Sequence, residues 1–181
     1  MIAADNSTSV RSALVISPRA RLFVATALIG AAADQVGKLW AVAHLGGPGD
    51  RQSALGSLRF ELSRNSGAAF GLGRGLTPLI TVISLAAVIA LGYAGWRSRS
   101  RAWALALGLA AAGAAGNLLD RLTRAPGFGR GAVVDWIKLP FYGPVFNLAD
   151  VMLRLGIVLA FILLIRGGGP RRPADPGPPP P

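Results

Sequence analysis

Two aspartates, Asp135 and Asp150, bracket the core of the stretch VVDWIKLPFYGPVFNLAD, which apart from Asn147 is otherwise aliphatic, aromatic, Gly and Pro, with Lys138 its only basic residue. Two carboxyls held close together share one proton, because like charges in a low dielectric do not both ionise cheaply. The ionised member can take a proton from water while the protonated member donates to a scissile carbonyl oxygen. The rest of the inventory leaves few other routes to hydrolysis. There is no cysteine, so disulfides, thiolate nucleophiles and Cys-based zinc sites are excluded. There is one histidine, His44, and no HExxH; a Ser-His-Asp triad would have to use His44, and a zinc protease site would need more imidazoles.

Four of the eight acidic residues, Asp34, Asp120, Asp135 and Asp150, lie in or beside apolar segments. An Asp at the centre of a membrane span costs about 2.5–3.5 kcal/mol, so such residues serve function or are paired inside the protein. Their neighbours share helix faces: Asn117, Asp120 and Arg121 at i, i+3 and i+4, Asn147 and Asp150 at i, i+3, and Asp34 and Lys38 at i, i+4. Asp34 and Lys38 read as a structural pair that neutralises itself. The Asn117, Asp120 and Arg121 face reads equally as a satisfied helix terminus or as a site. Asp150 has two possible acidic partners, Asp120 and Asp135, and Arg154 one turn deeper offers it a plain ion pair. The arginine beside Asp120 favours a structural ion pair, whereas Val133, Val134, Trp136 and Ile137 around Asp135 favour a raised pKa and proton sharing. Trp136, Phe141 and Tyr142 read as interfacial belt aromatics.

The elements that must position these residues are membrane helices. The 181-residue chain is 52% hydrophobic and 15% charged, too apolar for an ordinary soluble domain. Four segments approach the roughly 20 residues that cross a bilayer, at about Arg21–Leu45, Leu76–Trp96, Ala102–Leu119 and Val145–Ile165. Small residues crowd the third, which suits close helix packing in lipid. The first outer loop contains LRFELS, Leu58–Ser63, with strand-like alternation, followed by the turn signal Asn65-Ser66-Gly67 within NSGAAFG. The expected fold is an all-α membrane protein with four transmembrane helices, and a small β-element and loops on the outer face. A tail over 1–18 and a Pro/Gly-rich tail over 167–181 are expected to be unstructured and to flank a four-helix transmembrane unit over 19–166. The opening RARLFVATALIGAAA also has the shape of a cleavable signal peptide ending at Ala33. Apolar character resumes in LWAVAHL, which favours a retained span.

The net charge of +11 comes from arginines clustered between apolar segments, as for flanks that hold helices at anionic headgroups. No nucleic-acid recognition signature is present, so the basic balance does not imply nucleic-acid binding. RSRSR at Arg97–Arg101, with Arg19, Arg21, Arg166, Arg171 and Arg172, places both termini inside and both long loops outside. Asp34, Lys38, Asn65, Asn117, Asp120, Arg121, Asp135, Asn147 and Asp150 then all gather at the outer side.

DQVGKLW, NSGAAFGL, GAAGNLLDRL, VVDWI and FNLAD occur in that order across these spans. The set resembles lipoprotein signal peptidase, the bacterial signal peptidase II, over about residues 20–166. The resemblance implies an aspartic endopeptidase of the bacterial plasma (inner) membrane that cleaves prolipoprotein signal peptides before a lipid-modified cysteine. It implies Asp135 and Asp150 as the catalytic pair, with Asp34, Lys38, Asn65, Asn117, Asp120, Arg121 and Asn147 supporting them. It also implies no metal or other cofactor, inhibition by globomycin-type cyclic peptides, contact with membrane lipids, and action as a monomer. Relative to the family pattern, LTRAPGFGRGA between DR and VVD is long and Arg154 is unusual. A different class, a small proton- or cation-coupled carrier with an acidic relay, would string its acids through the depth of the membrane and show an inverted repeat; here the acids gather at one end.

Overall fold

A computed structural model describes residues 16–46, 53–55, 57–67, 73, 75–98 and 100–167. The two expected tails lie outside these residues except for 16–18 and 167. Four helices long and apolar enough to cross a membrane form an up-and-down bundle: α1 (Pro18–Leu45), α2 (Thr77–Trp96), α3 (Arg101–Thr123) and α4 (Leu148–Ile165). The chain is a multi-pass membrane protein. Its described β-structure is one antiparallel sheet in the order β1-β2-β3, made of Ser53–Leu55, Leu58–Asn65 and Val133–Lys138.

The helix limits follow from local chemistry. Ser17 caps α1 by accepting from the Ala20 N–H, and Pro18 stands where no intrahelical donor is needed. At 1.5 Å per residue the 28 residues of α1 span about 42 Å, more than a bilayer core of about 30 Å. The helix runs unbroken through Ala33 and Asp34. The fourth helix begins at Leu148 rather than Val145, because Asn147 is its N-cap and accepts from the Asp150 N–H at 2.9 Å. The third runs to Thr123 instead of ending at Leu119, so Asp120 and Arg121 are helical.

α3 is the central post. Most of it is buried, whereas α1, α2 and α4 present Leu28, Ile29, Val82, Ile89, Ile157 and Phe161 outward as a lipid-facing surface. Small residues let its neighbours approach. A Cβ at Gly113 would meet the Ala149 carbonyl and Leu153, one at Gly116 would meet Asp34 and Ala149, and one at Gly156 would meet the α3 backbone at Ala106 and Ala110. α1 and α4 thereby seat closely on α3. α2 also packs on α3, but α2 and α4 flank it without packing extensively on each other.

The sheet sits at the end of the bundle where α3 stops and α4 starts. The LRFELS pattern is part of β2, as the alternation indicates. β3 falls within the second outer loop expected from the sequence, because VVDWIK does not alternate apolar and polar residues. It pairs with β2 in a register that sets Asp135 opposite Ser63 and Val133 opposite Asn65. Trp136 also has a packing role: its ring packs edge-on to Trp40 of α1, at 5.6 Å between centroids, and beside Phe60 of β2, and it closes over Gly37. Phe141 is fully exposed and Tyr142 half-buried.

Candidate active site

Two acidic centres stand side by side at this end of the bundle. The first is a sealed ion cluster. Lys38 Nζ lies 2.7 Å from Asp34 Oδ2 and 2.9 Å from Asp120 Oδ2, and all three side chains are wholly buried. Arg124 Nε reaches Asp120 Oδ1 at 2.6 Å. Two carboxylates therefore meet two cations. The remaining lone pairs are also used: Asp34 Oδ1 accepts from the Ala149 N–H at 2.8 Å, and Asp120 Oδ2 from the Val134 N–H at 3.1 Å. Gln35 Nε2 donates to the Gly116 carbonyl at 3.0 Å and lies within bonding distance of both acids. The cluster thus ties α1 to α3, to β3 and to the first turn of α4.

The second centre holds Asp135 and Asp150 with amides in place of cations. Asn117 Oδ1 accepts from Lys38 at 3.0 Å and from Asn147 at 3.1 Å, which turns its NH₂ toward Asp150 Oδ1 at 2.9 Å. Asn147 spends its own oxygen on the Asp150 N–H, so its NH₂ reaches Asp135 Oδ1 at 2.6 Å. Asn65 accepts from the Gly67 N–H at 2.9 Å and also hydrogen-bonds Asp135. The lysine of the first centre thus orients the amides of the second.

The electrostatics of Asp135 follow from this arrangement. Burial in the sheet raises its pKa, and the nearby Asp150 charge raises it further. The Asn147 and Asn65 hydrogen bonds and the Lys38 charge oppose this, and the outcome is a carboxyl pushed up to about 7. Arg121 donates from Nη2 to the Gly67 carbonyl at 2.8 Å. Its buried Nη1 has no partner among the described residues, and its charge bears on Asp135, Asp120 and Asp150.

Asp135 and Asp150 both line a cavity of about 430 Å³. Asn65, Asn117 and Arg121 form its polar side. Ile80, Ile83, Ala87 and Leu91 of α2, with Leu153 and Ile157 of α4, form an apolar side that descends between these two helices. The cavity can hold a polar reacting group against the carboxyls and an apolar chain along the helices. Among the described residues no three His, Asp or Glu side chains are grouped to hold a metal.

A family model described as Signal peptidase (SPase) II matches residues 26–166, and so takes in every residue of both centres. The chain belongs to the signal peptidase II family. Its curated relatives include the lipoprotein signal peptidase of Bifidobacterium longum subsp. infantis, 40% identical over 150 residues that cover 82% of this chain and 81% of the relative. The lipoprotein signal peptidase of Mycobacterium leprae is 41% identical over 162 residues, 88% of this chain and 80% of that one. Among solved structures, one described as a bacterial membrane enzyme superposes with a TM-score of 0.69 at 29% identity, covering 84% of this chain and 93% of its own. A second, described in the same words, gives 0.65 at 32% identity over 80% and 92%.

Within this signal peptidase II fold the nine residues singled out in the sequence are brought together, though not always in the expected pairs. Asp34 and Lys38 do pair, but as part of a larger cluster. Asp120 pairs with Lys38 and Arg124, not with the adjacent Arg121, because consecutive helical residues point about 100° apart. Asn147 shares no helix face with Asp150; it is the cap that holds the Asp150 backbone. Arg154 makes no ion pair with Asp150, and its guanidinium lies 6.0 Å from the Phe146 ring centroid. Sequence reasoning missed Gln35 and Arg124. The signals were present: Gln35 is a polar residue inside an apolar span, and Arg124 is at i+4 from Asp120.

Proposed function

We propose that this chain is an aspartic endopeptidase of the bacterial plasma membrane which removes the signal peptide of prolipoproteins by cutting before their lipid-modified cysteine, with Asp135 and Asp150 as its catalytic residues. One observation carries the reading. These two carboxyls are each held by a different asparagine amide, have no contacting cation among the described residues, and stand at the head of a cavity whose other end is apolar. With a pKa of about 7, Asp135 is the member that keeps the shared proton near neutrality.

The chemistry is then general acid–base hydrolysis. Asp150 takes a proton from a water as its oxygen attacks the scissile carbonyl carbon, and Asp135 gives its proton to the carbonyl oxygen. The tetrahedral diol returns a proton to Asp135 as the C=O re-forms. The C–N bond breaks, and the leaving amine takes the proton held by Asp150. The products are a signal peptide ending in a new carboxylate and a lipoprotein with a free amino group on its lipidated cysteine. Arg121 Nη1, without a partner among the described residues, would hold a substrate carbonyl. Asn65, Asn117 and Asn147 orient the carboxyls, and Asp34, Lys38 and Asp120 hold the helices that carry them.

The density of arginines at Arg97–Arg101 supports cytoplasmic termini and an active site at the outer face. Ser100→Cys in this cysteine-free chain should react only with a membrane-permeant thiol reagent; labelling from outside the intact cell would reverse the topology. The acids gather at one end instead of crossing the bundle, and the family is a peptidase family, so the carrier reading is set aside.

The deciding experiment incubates purified protein with a lipidated prolipoprotein, with and without globomycin. Cleavage that globomycin stops and chelators leave intact is the expected result. Loss of activity to a chelator with recovery on added zinc would overturn the aspartic mechanism.

A further inference from the structure

Arg154 is a charged residue that neither centre uses. It stands at the seventh position of α4, about 9 Å along the helix from Leu148. A cation in that setting is costly unless something accepts its donors. Among the described residues no carboxylate lies within 4.0 Å of it and no protein acceptor hydrogen-bonds it. Its one protein contact of note is the Phe146 ring, at a distance where a cation–π attraction is weak. The side chain is exposed and lines the cavity shared by Asp150 and Asn117.

The direction of the side chain narrows what it meets. Phe146 precedes the first residue of α4, so the guanidinium has folded back along the helix toward the end where the carboxyls stand. It therefore sits on the α4 side of the cleft, near the level of the carboxyls. A planar fork with five donors suits paired oxygen acceptors. A substrate cut beside a cysteine that carries a diacylglyceryl thioether places two ester carbonyls at the end of a flexible thioether arm from the scissile carbonyl, on an apolar body that fits the α2–α4 side.

We propose that Arg154 recognises the ester carbonyls of the substrate's diacylglyceryl group, and so is a specificity-determining residue that distinguishes a lipidated cysteine by its headgroup oxygens as well as by its acyl chains. This rests on the peptidase reading above. It makes Arg154 a binding residue, with no role in proton transfer.

The test compares two synthetic prolipoprotein substrates, one with the diester and one with a diether that has the same chains and no carbonyls, in vesicles of zwitterionic lipid. A hydrogen-bonded charge contributes enough that about a tenfold change in KM is expected. The unaltered protein should bind the diester about tenfold better than the diether. Arg154→Met, which keeps the apolar stem, should lose that preference through a higher KM for the diester, with the loss in KM and not in kcat. Arg154→Lys should restore part of it, and carries the same test if the Met variant does not accumulate. An equal loss on both substrates would overturn the proposal in favour of an effect on the carboxyls or the fold. An unchanged preference would overturn it too. A loss seen only when anionic phospholipid is added to the vesicles would assign Arg154 to a bulk lipid phosphate instead. Failure of the unaltered protein to cleave the diester at all would overturn the peptidase reading itself, and this inference with it.

Discussion

The two acidic centres of this protein share a wall and differ in what surrounds their carboxyls. Asp34 and Asp120 are met by Lys38 and Arg124, are wholly buried, and have their free oxygens taken by backbone N–H groups. Asp135 and Asp150 are met by Asn65, Asn117 and Asn147, and face a cavity. An ammonium beside a carboxylate offsets its charge and ties it in place. An amide orients it and leaves its protonation free to change. Neutral hydrogen-bond donors, more than the acids themselves, therefore separate the centre proposed to move protons from the one that ties the helices together. The comparison also shows dependence: Lys38 fixes the orientation of Asn117, which fixes Asp150.

The sharpest way to break this contrast is to neutralise acids on each side. Asp135→Asn and Asp150→Asn should each lower turnover per folded molecule by about 10²–10⁴-fold, the usual contribution of a general acid or base, while folded yield stays near that of the unaltered protein. Asp120→Asn should do the reverse, lowering yield while retaining cleavage per folded molecule. Turnover normalised to monodisperse protein decides it, and robust cleavage by Asp135→Asn with none by well-folded Asp120→Asn would exchange the roles of the two centres. Lys38→Met tests the structural side directly. It strands two buried carboxylates, for which a cost of about 3–5 kcal/mol is expected in thermal or denaturant unfolding of the detergent-solubilised protein.

Smaller effects sharpen the contrast through protonation. In the proposed mechanism Asp135 must carry its proton to donate it, and its pKa of about 7 means that this proton is present below neutrality and lost as pH rises through about 7. Activity should therefore fall on the alkaline side with a midpoint near that value, in a profile of kcat/KM against pH. Asn147→Ala removes a hydrogen bond that favours ionised Asp135, so the alkaline limb should move upward. The same variant loses the α4 N-cap and should cost about 1 kcal/mol of stability. A limb that does not move would show that this amide does not tune the acid.

Much of this was legible in the sequence because membranes simplify it. Bilayer thickness converts four apolar runs into four helices, and alternation then sends Asp120 and Asp150 to the same end. The motif order supplied the family. The β3 strand was hidden because Val133, Val134 and Asp135 are buried in succession, and a strand covered on both faces does not alternate in hydrophobicity. The partners inside the sealed centre were hidden for a different reason. Which of Arg121 and Arg124 meets Asp120 depends on helix rotation, and adjacency in sequence is a poor guide to it. The cap at Asn147 could have been read from its preference for that position before an apolar run.

The gap between α2 and α4, described above as one side of a cavity, would also set the units in which the proposed activity is measured. A substrate that enters sideways from the hydrocarbon arrives by diffusion in a plane, so its effective concentration is a mole fraction among lipids and not an amount per volume. Adding inert lipid or detergent at constant bulk substrate then slows cleavage by dilution within the surface, with no inhibitor present and no change in the protein.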